Sequence, residues 1–168
     1  MHLQDLFLQA KHAAHSGSYA EAVDLLRRIV REAPDFGKAY GKLGWIYDFK
    51  FQKYKEAEEF YKLALDYQAS YHETYYHYAA LLSRLKRFEE LEPFLERALL
   101  VPGINKGILV NEKAIMYELR GEYSRAIDLY RESIRHLLDQ KDIEDRFQSI
   151  ERCRRKMNIF GGTRVSDT

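Results

Sequence analysis

Small side chains return along this chain at a fixed interval, and that recurrence limits its fold more than any other feature. Ala10, Gly44, Ala79 and Ala114 stand 34 or 35 residues apart. A second series, Ala22, Ala57, Leu91 and Ala126, keeps the same interval. A period of this length marks a repeat architecture, in which one small unit is stacked because it cannot bury its apolar face alone. Within the first period, Leu6, Ala10 and Ala13 precede a break at Ser16-Gly17-Ser18. Tyr19, Ala22, Val23, Leu26 and Ile29 follow it at helical spacing. Each period therefore predicts two helices that cross closely at a small residue.

Four such units are expected, over about residues 3–36, 37–71, 72–105 and 107–140. In the first, Ser18 with Glu21 three positions later reads as a capping box, and Pro34 closes the unit. The second gains one residue in the turn over 49–53, which a loop absorbs at little cost. The third departs most from the pattern. Leu91 replaces a small residue there, and Pro93 predicts a second helix that starts late, near Glu89 or Glu90, or is kinked. Beyond the fourth unit, Ile143, Phe147, Ile150, Cys153 and Met157 recur every three or four positions. They predict a helix over about 141–158 that covers the exposed face of the last repeat. Residues 1–160 then make one solenoid domain, and residues 161–168, with almost nothing to bury, a disordered tail.

The fullest version of the pattern lies in residues 40–65. Tyr40, Leu43, Gly44 and Tyr47 are followed by Ala57, Tyr61 and Ala64. This resembles the tetratricopeptide signature, W-x₂-L-G-x₂-Y and then A-x₃-F, with Tyr standing for the leading Trp and the later Phe and with the closing Pro absent. The resemblance implies an all-α fold, a right-handed α-solenoid of four helix pairs with a C-terminal capping helix.

Composition narrows the function classes. Apolar residues make up 46% of the 168 and aromatics 14%, enough for a substantial core. The 27 basic and 26 acidic side chains nearly cancel, so no broad positive field draws in nucleic acid or an anionic membrane. The longest apolar runs, such as residues 98–101, are too short to cross a bilayer. The opening Met1-His2-Leu3-Gln4-Asp5 lacks the pattern of a secretory signal. One cysteine, Cys153, permits neither an internal disulfide nor a multi-cysteine zinc site. The expected location is the cytoplasm.

Catalytic signals are missing. His72 and His77 flank a Glu but are five apart, which turns them about 140° away from each other on a helix, whereas zincins need histidines four apart. His12 and His15 share a face, but no further ligand type lies nearby. No phosphate-binding glycine loop, nucleophile elbow or C-x-x-C is present. The carboxylates around Glu56 and Glu89 read as solvated helix faces. We expect no enzyme, no metal and no cofactor. The one cationic run, Arg152, Arg154, Arg155 and Lys156, suits the end of a helix.

What the resemblance implies is a concave groove lined by the first helix of each repeat and holding a peptide or helix of another protein. Carried over repeat by repeat, the groove residues are Phe7 and Lys11, then Trp45, Asp48 and Phe49. Tyr76, Ala80 and Arg84 follow, and Asn111, Ile115 and Glu118 close the set. The chaperone-tail carboxylate clamp of some relatives is disfavoured. Its positions here are Phe7, Lys11, Lys42, Glu73 and His77, of which only two are basic, and Glu73 would repel a carboxylate. The leading expectation is an adaptor or scaffold. The alternative is a self-assembling module, a homodimer formed through an uncapped first helix with Leu3, Leu6, Phe7 and Ala10 left open.

Overall fold

The computed structural model describes residues 2–160, so the tail expected over 161–168 lies outside the described residues. Those residues form nine helices and no strand. They are α1 (Leu3–His15), α2 (Tyr19–Glu32), α3 (Gly37–Phe49), α4 (Tyr54–Tyr67), α5 (His72–Arg84), α6 (Phe88–Ala98), α7 (Lys106–Leu119), α8 (Tyr123–Ile134) and α9 (Gln140–Phe160). The fold is all-α, as the period predicts. The chain divides after Leu81 into two compact units.

The turns repeat as faithfully as the helices do. Gly17, Gln52, Lys86 and Gly121 are all left-handed, with φ of +88°, +54°, +56° and +79°. They stand 34 or 35 residues apart and each opens the turn inside one helix pair. Glycine adopts this conformation freely, whereas Gln52 and Lys86 are strained by it. One residue later the helix begins from Ser18, Lys53, Arg87 or Glu122, whose ψ lies between 60° and 75° and whose side chain makes no capping bond. The capping box expected at Ser18 is therefore absent. The turn fixes ψ at a value that aims the hydroxyl away from the first-turn amides, whatever residue stands there.

In the first unit α1 packs on α2, α2 on α3, and α3 on α4. Leu6, Ala10, Leu26, Ile29, Leu43, Ile46, Ala57 and Tyr61 are wholly buried. Gly44 permits the α3–α4 crossing, since a Cβ there would stand 2.5 Å from the Tyr61 ring. Arg27 of α2 donates to the Tyr47 hydroxyl of α3 at 2.7 Å. The first helix is not left open as expected: Leu6, Phe7 and Ala10 are buried, and the Phe7 ring packs on Phe36 at 5.6 Å. Phe36, in the connection into α3, supplies part of this cover.

In the second unit α6 packs on α7, α7 on α8, and α8 on α9. The late start foreseen for α6 does not occur. Helix α6 begins at Phe88, with Leu91 N–H already donating to the Arg87 carbonyl, and Pro93 sits inside the helix. Its missing N–H costs one helical bond without stopping the helix. Helix α9 packs against α8 as its amphipathic spacing predicts, burying Ile150 and Cys153. Phe147 and Met157, expected on the same stripe, are 54% and 37% exposed at its margins.

Candidate interaction face

The eleven residues expected to line a groove divide by burial, and helix geometry explains the split. Positions one and five residues after each small packing residue stay at the surface. Lys11, Phe49 and Arg84 are exposed, while Trp45, Ala80 and Ile115 are half-buried. Positions three before or four after the small residue turn with it into the helix crossing. Phe7, Asp48, Asn111 and Glu118 hold these positions, and all four are buried. They are corrected from groove to core. Tyr76, three before Ala79, is half-buried between the two sets.

Two of the buried four do the same job in two repeats. The Tyr61 hydroxyl donates to Asp48 at 3.3 Å, and the Tyr130 hydroxyl donates to Glu118 at 2.8 Å. Each bond ties the end of a repeat's first helix to the middle of its second. Glu118 also receives both Arg152 donors at 2.7 Å and Lys156 at 2.8 Å, all from α9. These bonds hold its carboxyl down at about 2 although burial pushes it up. Half of the cationic run read as a helix end is thus a clamp that holds the last helix on α7. Spacing alone could not show this, because the partner lies 34 and 38 residues away.

Sequence reasoning also missed Glu112. Burial raises its carboxyl to about 7, opposed by the positive charges of Arg146 and Arg84. The Arg146 Nε is itself buried without a hydrogen-bond partner. Glu112 follows Asn111 directly, so no feature of its own position distinguished it from a solvated helix residue.

The surface set converges in the first unit. Trp45 and Phe49 lie 6.0 Å apart between ring centroids, and Phe49 meets His77 of α5 edge-on at 5.9 Å. His77 in turn stacks on Tyr61 at 6.4 Å, which ties this row of rings to the core. His77, one position along from the expected groove residue Tyr76, therefore joins this row. Burial drives the His77 imidazole down to about 4, against Glu73 and with Lys42, so it is neutral at physiological pH. Lys42 places its ammonium 4.4 Å from the centre of the Trp45 ring, and Lys50 approaches the same ring at 5.2 Å. Burial lowers the pKa of Lys42, with Glu73 opposing and Lys11 assisting. Lys11, His12, Ala14, His15, Lys42 and Trp45 border a hollow of about 400 Å³ between α1 and α3.

Residues 37–71 and residues 111–144 each match a tetratricopeptide repeat. The chain carries tetratricopeptide repeats. Among solved structures, yeast Tom70 aligns with a TM-score of 0.79 at 18% identity over 94% of this chain. The match covers 34% of Tom70, so this chain spans about a third of that protein. PilF of Pseudomonas aeruginosa aligns at 0.75, with 16% identity over 98% of this chain and 78% of its own. YrrB, described as a tetratricopeptide-repeat protein with an unusual peptide-binding site, aligns at 0.69, with 16% identity over 95% of this chain and 78% of its own. No curated protein matches the sequence. Among the described residues no group of three or more His, Cys, Asp or Glu side chains could hold a metal. None of the described helices is long and apolar enough to cross a membrane.

Proposed function

We propose that this tetratricopeptide-repeat chain is an adaptor that holds a segment of another protein against the Trp45 face of its first unit. The observation that carries the reading is the row Trp45, Phe49, His77 and Tyr61, which is solvent-facing at one end and anchored in the core at the other. Rings fixed this way lose little freedom when a partner arrives, which is where much binding energy is otherwise lost. Tryptophan is also among the residues that most often dominate an interface. The family supports a role in protein recognition, and the YrrB description supports peptide binding on such a scaffold. No reaction is part of this proposal, because no nucleophile, base and oxyanion donor come together on the face.

The test compares capture by the wild type with capture by Trp45→Ala/Phe49→Ala, using quantitative mass spectrometry. Loss of a central aromatic anchor costs about 2 kcal/mol or more, so bound partners should fall at least about thirtyfold. Far-ultraviolet dichroism should be unchanged, since Phe49 is exposed and Trp45 only half-buried. Equal capture by both proteins would remove this face from the function. Of the apolar face that the self-assembling alternative invokes, Leu6, Phe7 and Ala10 are buried and Leu3 is half-buried, which favours the adaptor reading.

A further inference from the structure

A helix that caps a stack of repeats should turn a polar face to solvent, and α9 does so only in part. Its inner side buries Ile150 and Cys153. Along its outer side Glu144, Phe147, Gln148, Glu151, Arg155 and Ile159 form one stripe at helical spacing, and all six are exposed. They border a hollow of about 720 Å³ beside Arg131 of α8. Phe147 is 54% exposed and Ile159 68%, large apolar groups to leave in water on one charged helix face. Charge along the stripe is uneven. Near the start of α9, Glu144 makes no ion pair among the described residues. Near its end, Arg154 and Arg155 share the single carboxylate of Glu151, at 3.7 and 3.3 Å, which leaves one positive charge in excess.

We propose that this stripe binds the same stripe of a second copy of the chain, the two α9 helices running antiparallel about a two-fold axis that passes between Ser149 and Ile150. In that register Glu144 lies opposite Arg155 of the partner subunit, and the excess charge at each end of one stripe meets its opposite on the other. The rise of 1.5 Å per residue sets the two Phe147 rings about 7–8 Å apart along the helix axis, close enough to cover each other. Gln148 lies opposite Glu151 of the partner subunit and can donate its amide to that carboxylate. Antiparallel dipoles add to the fit, since each helix start then sits beside a helix end. A parallel pair is disfavoured, because it sets Glu144 on Glu144 and Arg155 on Arg155. This surface is separate from the Leu6 face of α1, which is buried. One helix from each copy buries less than a standard interface, so the dimer is weak, with a Kd on the order of 100 µM. The proposal does not depend on the Trp45 face, but where that face holds a partner, pairing makes the adaptor bivalent.

Sedimentation equilibrium of the full chain from about 10 µM to 1 mM should show a monomer passing into a dimer, and added salt should weaken it. Glu144→Arg puts positive charge at both ends of the stripe. Each contact occurs twice across the two-fold, so this one change should raise the Kd at least about tenfold. Arg155→Glu should do the same from the acidic side. Glu144→Arg/Arg155→Glu restores opposite charges in reversed order, so its Kd should return to within about threefold of the wild type. Phe147→Asp, which sets a charge at the centre of the contact, should abolish the dimer. Helical dichroism should be the same for every variant, because all three side chains are exposed. A chain that stays monomeric at about 1 mM would overturn the proposal and leave the stripe to another occupant or to water. A dimer that survives every substitution would place the contact elsewhere and overturn it as well. Single variants that dissociate without recovery in the charge swap would overturn the antiparallel register.

Discussion

Two glutamates one and a half turns apart on α7 answer pH in opposite directions. Glu118 is held at about 2 by Arg152, Lys156 and Tyr130, below its ordinary 4.5. It therefore adds stability above pH 4.5, and that stability is lost as the pH falls toward 2. Glu112 is raised from 4.5 to about 7 by burial. Its folded form prefers the proton, so the chain gains stability as the pH falls from about 7 to 4.5 and loses it again above that window. Glu112→Gln should stabilise the protein by about 2–3 kcal/mol near pH 8 and by almost nothing near pH 4.5. Urea unfolding at both pH values checks this, and a gain of equal size at both would mean that burial of the charge is not the cause. Glu118→Ala leaves the Tyr130 hydroxyl buried without its acceptor and strands two cations, so it should cost about 2–4 kcal/mol at pH 7. The sequence showed that both residues lie on a helix, but it could not show how deep each carboxylate sits. That depth depends on α9, whose docking face is set by residues more than thirty positions away.

At the level of helices and turns, the period was legible because it has a steric cause that repeats. Gly44 illustrates the helix crossing. Alanine there would gain helix propensity of about 1 kcal/mol, yet its Cβ would stand 2.5 Å from a buried Tyr61 ring that the Asp48 bond holds in place. Gly44→Ala should therefore lower stability by about 1–2 kcal/mol net, read from the unfolding midpoint. Asp48→Ala in the same background removes the acceptor of the Tyr61 hydroxyl and should reduce that loss by loosening the ring. The turns were less legible than the crossings. Gly17 and Gly121 mark the left-handed position in the first and fourth pairs, but Gln52 and Lys86 hold it in the second and third. A left-handed residue that is not glycine leaves no mark in the sequence. Lys86→Gly should raise stability by about 0.5–1 kcal/mol, because it removes strain from an exposed turn and touches no contact in the core. A loss of stability there would show that the Lys86 side chain contributes more than its backbone strain costs.

Within each unit, helices pack chiefly on their neighbours in sequence, and stability in such an arrangement is a sum of local terms. The same locality explains which parts of the candidate face could be read in advance. Trp45 and Phe49 follow from their offset to Gly44 alone, whereas the burial of Asp48 and Glu118 needed the facing tyrosines and, for Glu118, the helix from α9. The chain carries one tryptophan, in α3, and one cysteine, in α9, so each unit has its own reporter. Cys153 is fully buried, and burial pushes its thiol up to about 11, so it should react slowly with a disulfide reagent near pH 8. Arg152→Ala removes two of the bonds that hold α9 to Glu118. If α9 opens as a local unit, this change should speed Cys153 labelling by about tenfold or more, for a loss of about 1.5 kcal/mol in local stability. The urea midpoint of Trp45 fluorescence should move little, because nearest-neighbour stacking confines the damage. A labelling rate that stays at the wild-type value would show that apolar packing of Ile150 and Cys153, and not the Glu118 clamp, holds the last helix down.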